Sequence, residues 1–155
     1  MNIDNILTEY DNMFGRFSLS KIEDFLYEKI CQAVSDGDGG AIITLLNEMI
    51  GLCRDTSQKE KALTYCTQLK NMLDKMQMEG TKNYATSMQN VANAYRAFGL
   101  WNEAEEAFRL IEQTYDMFLD KGDYLWASMY NNWGLLYQEQ REYEKSIQVL
   151  MKAYD

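Results

Sequence analysis

Apolar residues along this chain recur at helical spacing, in blocks separated by short polar or glycine-bearing breaks. Leu46, Met49, Ile50 and Cys53 stand at i, i+3, i+4 and i+7, as do Met88, Val91, Ala92 and Tyr95, and again Tyr130, Trp133, Gly134 and Tyr137. That spacing puts each set on one stripe of a helix, and such a stripe has to be buried against a neighbour. The breaks fall at 14–18, 35–40, 55–59, 78–83, 97–101, 120–123 and 139–142. They predict eight helices of roughly 12 to 20 residues. Block interiors are rich in Leu, Met, Ala, Glu and Lys, and proline is absent, so propensity points to the same all-α class. In the break at 35–40, Asp38 is expected to cap the following helix and the glycines to end the preceding one. A calcium loop starting at Asp36 would have Ala41 where it needs glycine and Asn47 where it needs a bidentate glutamate.

Alternating short and longer breaks invite a comparison of the chain with itself, and an offset of 42 residues aligns it from end to end. Ala62, Ala104 and Ser146 share one column, which Ser20 extends backwards; Cys53, Tyr95 and Tyr137 share a second; Cys66, Phe108 and Leu150 share a third. A small residue in the second helix of each pair lets two backbones approach, and the large residue four positions on fills the space beside it. A two-helix unit cannot cover its own apolar surface, so the units are expected to stack as an α-solenoid of antiparallel hairpins. The units read as a degenerate first hairpin over 1–40, then 41–82, 83–123 and an incomplete 124–155.

These columns resemble the tetratricopeptide repeat family. Its aromatic/Leu, Gly/Ala, Tyr, Ala, Phe and Ala positions correspond to Tyr130, Trp133, Gly134, Tyr137, Ser146, Leu150 and Ala153 in the last unit, and to Val91, Ala92, Tyr95, Ala104 and Phe108 in the middle one. The usual repeat of about 34 residues is shorter and closes with proline, whereas these units close with Gly80 and Gly122. The longer unit looks like the type seen in kinesin light chains and in many bacterial repeat proteins. The resemblance implies a right-handed superhelix whose concave groove holds a protein or peptide, without catalysis.

Composition narrows the chemistry. Twenty-four acidic against 15 basic residues give a net charge of −9, the wrong sign for neutralising phosphates, so nucleic acid is not an expected partner. No apolar run approaches the roughly 18 residues of a membrane span, and the first residues lack a secretory pattern; the expected location is cytoplasmic. Histidine is absent, which removes Ser–His and Cys–His nucleophile pairs and the usual zinc sites. The chain is therefore not expected to be an enzyme or to bind a cofactor or metal. Cys31, Cys53 and Cys66 sit in apolar helical stretches and are expected to be buried, reduced and inert. Seven acids between Glu103 and Asp123 meet only Arg109 and Lys121; they form either a solvated face or a docking patch for basic partners.

A polar line runs beside each apolar stripe: Thr44-Asn47-Gly51-Arg54, Thr86-Gln89-Asn93-Arg96 and Ser128-Asn131-Leu135-Gln138. Amides and hydroxyls compete for backbone groups inside helices, so their concentration on one line asks for a use. The family resemblance implies that this line faces the groove, with Asn47, Gln89 and Asn131 in one row, Asn90 and Asn132 beside it, Arg54 and Arg96 flanking it, and Asn93 and Gln138 along it. The competing reading is that these amides bridge adjacent repeats with no ligand present. The lysines of family members that grip a C-terminal carboxylate are missing from the corresponding positions. The expected function is a non-catalytic scaffold for an extended peptide or a partner helix. The alternative is a regulatory or targeting N-terminal segment of a larger protein, an enzyme included, with its catalytic part outside these residues. Ile147, Leu150, Met151 and Tyr154 leave an apolar edge on the final helix, expected to be covered by a further repeat or in a homodimer.

Overall fold

The computed structural model describes residues 1–154. Among them are eight α-helices and no strand: α1 (Ile3–Met13), α2 (Leu19–Asp36), α3 (Gly39–Asp55), α4 (Lys59–Lys75), α5 (Lys82–Ala97), α6 (Trp101–Phe118), α7 (Tyr124–Glu139) and α8 (Tyr143–Ala153). They form two compact units, Met1–Met76 with α1 to α4 and Gln77–Asp155 with α5 to α8. Consecutive helices pair in the arrangement of a tetratricopeptide-like repeat.

Helix starts and stops follow two local rules. The first helix of each pair is capped by a side chain: Asn2, Asp38, Thr81 and Asp123 each accept a backbone N–H of the first turn at 3.0–3.1 Å. The second helices α4, α6 and α8 have no side-chain cap. Instead the preceding helix ends in a left-handed residue, Ser57, Gly99 or Arg141, with φ of 58°, 75° and 61°. Beside it, the amide N–H groups of Gln58, Leu100 and Glu142 donate to the carbonyls of Cys53, Tyr95 and Tyr137, each at 2.8 Å. This double closure at the end of a helix satisfies its last carbonyls and reverses the chain within a few residues. The three left-handed positions are spaced 42 residues apart, and Gly15, also left-handed, lies one further step back. Gly37 closes α2 in the same way at φ 67°. Gly39 and Gly40, read from the sequence as part of the stop, instead open α3, because one left-handed residue is enough to end α2 and Asp38 caps at once.

In Met1–Met76, α2, α3 and α4 bury Leu26, Leu45, Leu46, Met49, Ile50, Leu69 and Leu73 against one another. Gly39 makes room for Met76, whose sulfur lies 2.6 Å from where a Cβ would stand. Lys61 on α4 reaches Glu23 on α2 at 2.8 Å. Tyr10 anchors α1, and burial, with Glu48 next in weight, pushes its hydroxyl up to about 12. Ser20, in the small-residue column, is exposed.

In Gln77–Asp155 the small column does close the hairpins. Ala104 is fully buried between α5 and α6, and Ser146 donates to the Gly134 carbonyl at 2.9 Å across α7 and α8. A Cβ on Gly134 would stand 2.6 Å from Leu150, so only glycine fits without displacing that side chain. The stripe on α7 is aromatic: Trp126, Tyr130, Trp133 and Tyr137 follow one another at ring-centroid distances of 5.8, 6.3 and 6.3 Å. Phe108 from α6 stacks on Trp133 at 5.9 Å. Tyr95 and Leu150, members of the apolar columns, are half-buried.

Candidate functional site

The polar line on α5 is tied to its neighbours at both ends. Gln89 donates through Nε2 to Ser128 Oγ on α7 at 3.3 Å and accepts through Oε1 from the Tyr115 hydroxyl on α6 at 3.3 Å. Arg96 pairs through Nη1 with Glu139 of α7 at 2.9 Å. These contacts hold α5 beside α7 along one face, and Gln89 there bridges helices. Between the two ties lies Asn93, half-buried. Its Oδ1 and the neighbouring Arg96 Nε are buried without a hydrogen-bond partner.

The other candidate residues divide by position. Asn131 and Gln138 on α7 are exposed, and Asn90 and Asn132 are half-buried. Asn47 and Arg54 belong to the other unit, on α3. There Asn47 Nδ2 donates to the Ile43 carbonyl one turn back at 3.0 Å, and Arg54 lies 3.5 Å from Asp55. Sequence reasoning missed Glu139 and Tyr115, the partners that organise the line. Glu139 is 43 residues from Arg96, one step off the repeat offset, so an alignment of columns does not pair them.

The acidic run on α6 has two sides. Glu103, Glu106 and Asp116 are exposed. Glu105 and Glu112 instead turn to the aromatic row of α7, where Tyr137 donates to Glu105 at 2.9 Å and Tyr130 to Glu112 at 2.8 Å. Burial alone would raise the Glu105 carboxyl, but hydrogen bonds from Arg109 and Tyr137 hold it below the usual carboxylate range. Burial, then the bond to Glu112, pushes the Tyr130 hydroxyl well up. Two of the seven acids thus join helices and Asp123 caps α7, while Glu103, Glu106, Asp116 and Asp120 are exposed.

The cysteines are free, and only Cys53 and Cys66 are buried. Burial pushes their thiols up to about 11 and about 12. Cys31 is exposed, contrary to the expectation from its apolar surroundings in sequence. The residues one repeat on from Tyr27 and Cys31 are Leu69 and Leu73, both fully buried. On α2 the equivalent face is open, because α1 spans 11 residues where α3 spans 17. A thiol reagent at pH 8 is therefore expected to label one cysteine per folded chain and three after unfolding; labelling of none or all three in the folded chain would contradict this placement.

Among the described residues no group of three His, Cys, Asp or Glu side chains is arranged to hold a metal ion, and no helix is long and apolar enough to cross a membrane. A family model described as tetratricopeptide repeat matches residues 85–110, from the first turn of α5 into the middle of α6. The match thus places a tetratricopeptide repeat on the α5–α6 hairpin. No curated protein matches it.

Proposed function

We propose that this tetratricopeptide-repeat chain is a non-catalytic interaction module that holds an extended peptide against the face shared by α5 and α7. Tetratricopeptide repeats mediate protein–protein interaction in general and are typically scaffolds; the peptide and the face are the proposal. The observation that carries it is the pair Asn93 Oδ1 and Arg96 Nε, an acceptor and a donor on adjacent turns of α5, both buried and unpaired. Leaving such a group without a partner costs about 1–3 kcal/mol. A ligand that brings one N–H and one C=O to this point, as the two side chains turn outward to meet it, recovers that cost. Extended main chain presents both, whereas a helix has already used its own. The exposed amides of Asn131 and Gln138 continue the same kind of surface along α7, and the net charge of −9 favours a neutral or basic peptide.

The test pans a phage-displayed dodecapeptide library on the immobilised chain and measures the selected peptide by fluorescence anisotropy. Asn93→Ala combined with Asn131→Ala is expected to weaken binding about tenfold or more, and Gln148→Ala on α8 to leave it unchanged. Failure to select any peptide, or equal affinity for both variants, would overturn the reading.

A further inference from the structure

We infer that the α5–α7 face reads a short pattern in its ligand: an aliphatic residue followed two positions later by a lysine or arginine, in an extended peptide that runs in the direction of α5. This rests on the peptide reading above and adds which side chains are selected, and in which order.

The direction comes from the polar ties. Gln89 meets Ser128 and Arg96 meets Glu139, so residue numbers rise the same way along both helices, and α5 and α7 are parallel. Between the ties, Asn93 offers a buried acceptor and Arg96, one turn on, a buried donor. An extended residue turns its N–H and its C=O to the same side. Its N–H therefore goes to Asn93 Oδ1 and its C=O to Arg96 Nε, which sets the peptide running from Asn93 towards Arg96.

The selectivity comes from α7. Ser128, Leu135 and Glu139, at steps of seven and four residues, share one stripe of the helix. Ser128 and Glu139 both reach α5, so Leu135 between them borders the same groove. It is 42 % exposed, an aliphatic side chain in a line otherwise made of hydroxyls and amides. Its counterpart 42 residues earlier is Asn93, which α7 leaves half-buried and its oxygen unpaired; the position is thus groove surface even with another repeat stacked beside it. A ligand side chain that covers Leu135 has to be apolar, because a polar one would exchange water for a surface that bonds nothing. One turn on, Glu139 is exposed. Arg96 takes its Oε1, and a carboxylate accepts through two oxygens, so a lysine or arginine can join from the solvent side. The spacings agree. Four residues of helix advance about 6 Å, and two residues of extended chain, whose side chains share a face, advance about 6.6 Å.

The test sequences the dodecapeptides selected on the unmodified chain and measures one of them by fluorescence anisotropy in double-mutant cycles. The selected pool is expected to be enriched in aliphatic-x-Lys/Arg. Serine in place of the aliphatic residue is expected to weaken binding about tenfold to the unmodified chain and less than about twofold to the Leu135→Asn variant. Alanine in place of the basic residue should cost about fivefold, and less than about twofold with Glu139→Gln. Both positions are exposed, so the variants should keep their melting midpoints; Leu135→Ala, with a better helix former, should repeat the Leu135→Asn result. Peptides that lose affinity with Asn93→Ala but lack the pattern, carry it in reverse order, or respond additively to Leu135→Asn would overturn this inference and leave the peptide reading standing. A chain that selects no peptide would overturn both.

Discussion

Phe108→Ala is expected to cost about 3–5 kcal/mol, the loss that accompanies truncation of a fully buried aromatic side chain. Phe108 is completely buried on α6, and its ring stacks on Trp133 at 5.9 Å and 13° between planes. The row from Trp126 to Tyr137 fixes Trp133 on both sides, so the wall of the new cavity has little freedom to collapse. Dense packing around the site places the cost in the upper part of the usual range. Trp101, Trp126 and Trp133 all lie within Gln77–Asp155, so tryptophan fluorescence reports the unit that carries the change. A fall of about 10 °C or more in the fluorescence-monitored midpoint is expected; a shift of only a degree or two would show that Phe108 is not the centre of this core.

Ala104→Leu is expected to destabilise by about 1–3 kcal/mol through overpacking rather than loss of contact. Ala104 is fully buried where α5 and α6 approach, and Ala92, also fully buried, stands on α5 at the position that Gly134 occupies on α7. The neighbouring hairpin shows how little room such a point has: Ser146 reaches the Gly134 carbonyl at 2.9 Å, and a single added carbon on Gly134 would stand 2.6 Å from Leu150. Leucine adds three carbons at the equivalent point of α6, and the backbones must separate or the side chain must leave its rotamer. Ala97→Leu, at an exposed position of the same hairpin, serves as the control, expected within about 0.5 kcal/mol. Equal urea midpoints for the two variants would contradict the assignment of the small-residue column to closest approach.

The α5–α6 and α7–α8 hairpins can be read from the chain with few errors. Ala104 and Ser146 fall where the columns put them, and Met88, Val91, Trp133 and Tyr137 are buried as their spacing requires. The errors cluster at α2. Ser20 and Cys31 are in register with buried residues yet stand in solvent, because a column states what a position can pack against; α1 begins too late in the chain to reach Cys31. The polar line is legible as a line, and its uses are not. Gln89 and Asn93 look alike in sequence, four residues apart on one face, but Gln89 is taken by Tyr115 and Ser128 while the Asn93 oxygen has no partner.

By itself the sequence determined the helices, their hairpin pairing and the offset of 42 residues that relates them. Periodicity and turn chemistry are written in residues a few positions apart, and the left-handed closures at Ser57, Gly99 and Arg141 follow from such local geometry. Only the tertiary structure decided which polar and apolar side chains are occupied. Gln89 is engaged by residues 26 and 39 positions away, Arg96 by one 43 positions away, and the tyrosines of α7 by carboxylates on α6. Ile147 and Met151 stand exposed on α8 for the converse reason. An unpaired Asn93 oxygen or an open stripe depends on which neighbouring helix is present and how far it extends, a long-range fact that no local pattern encodes.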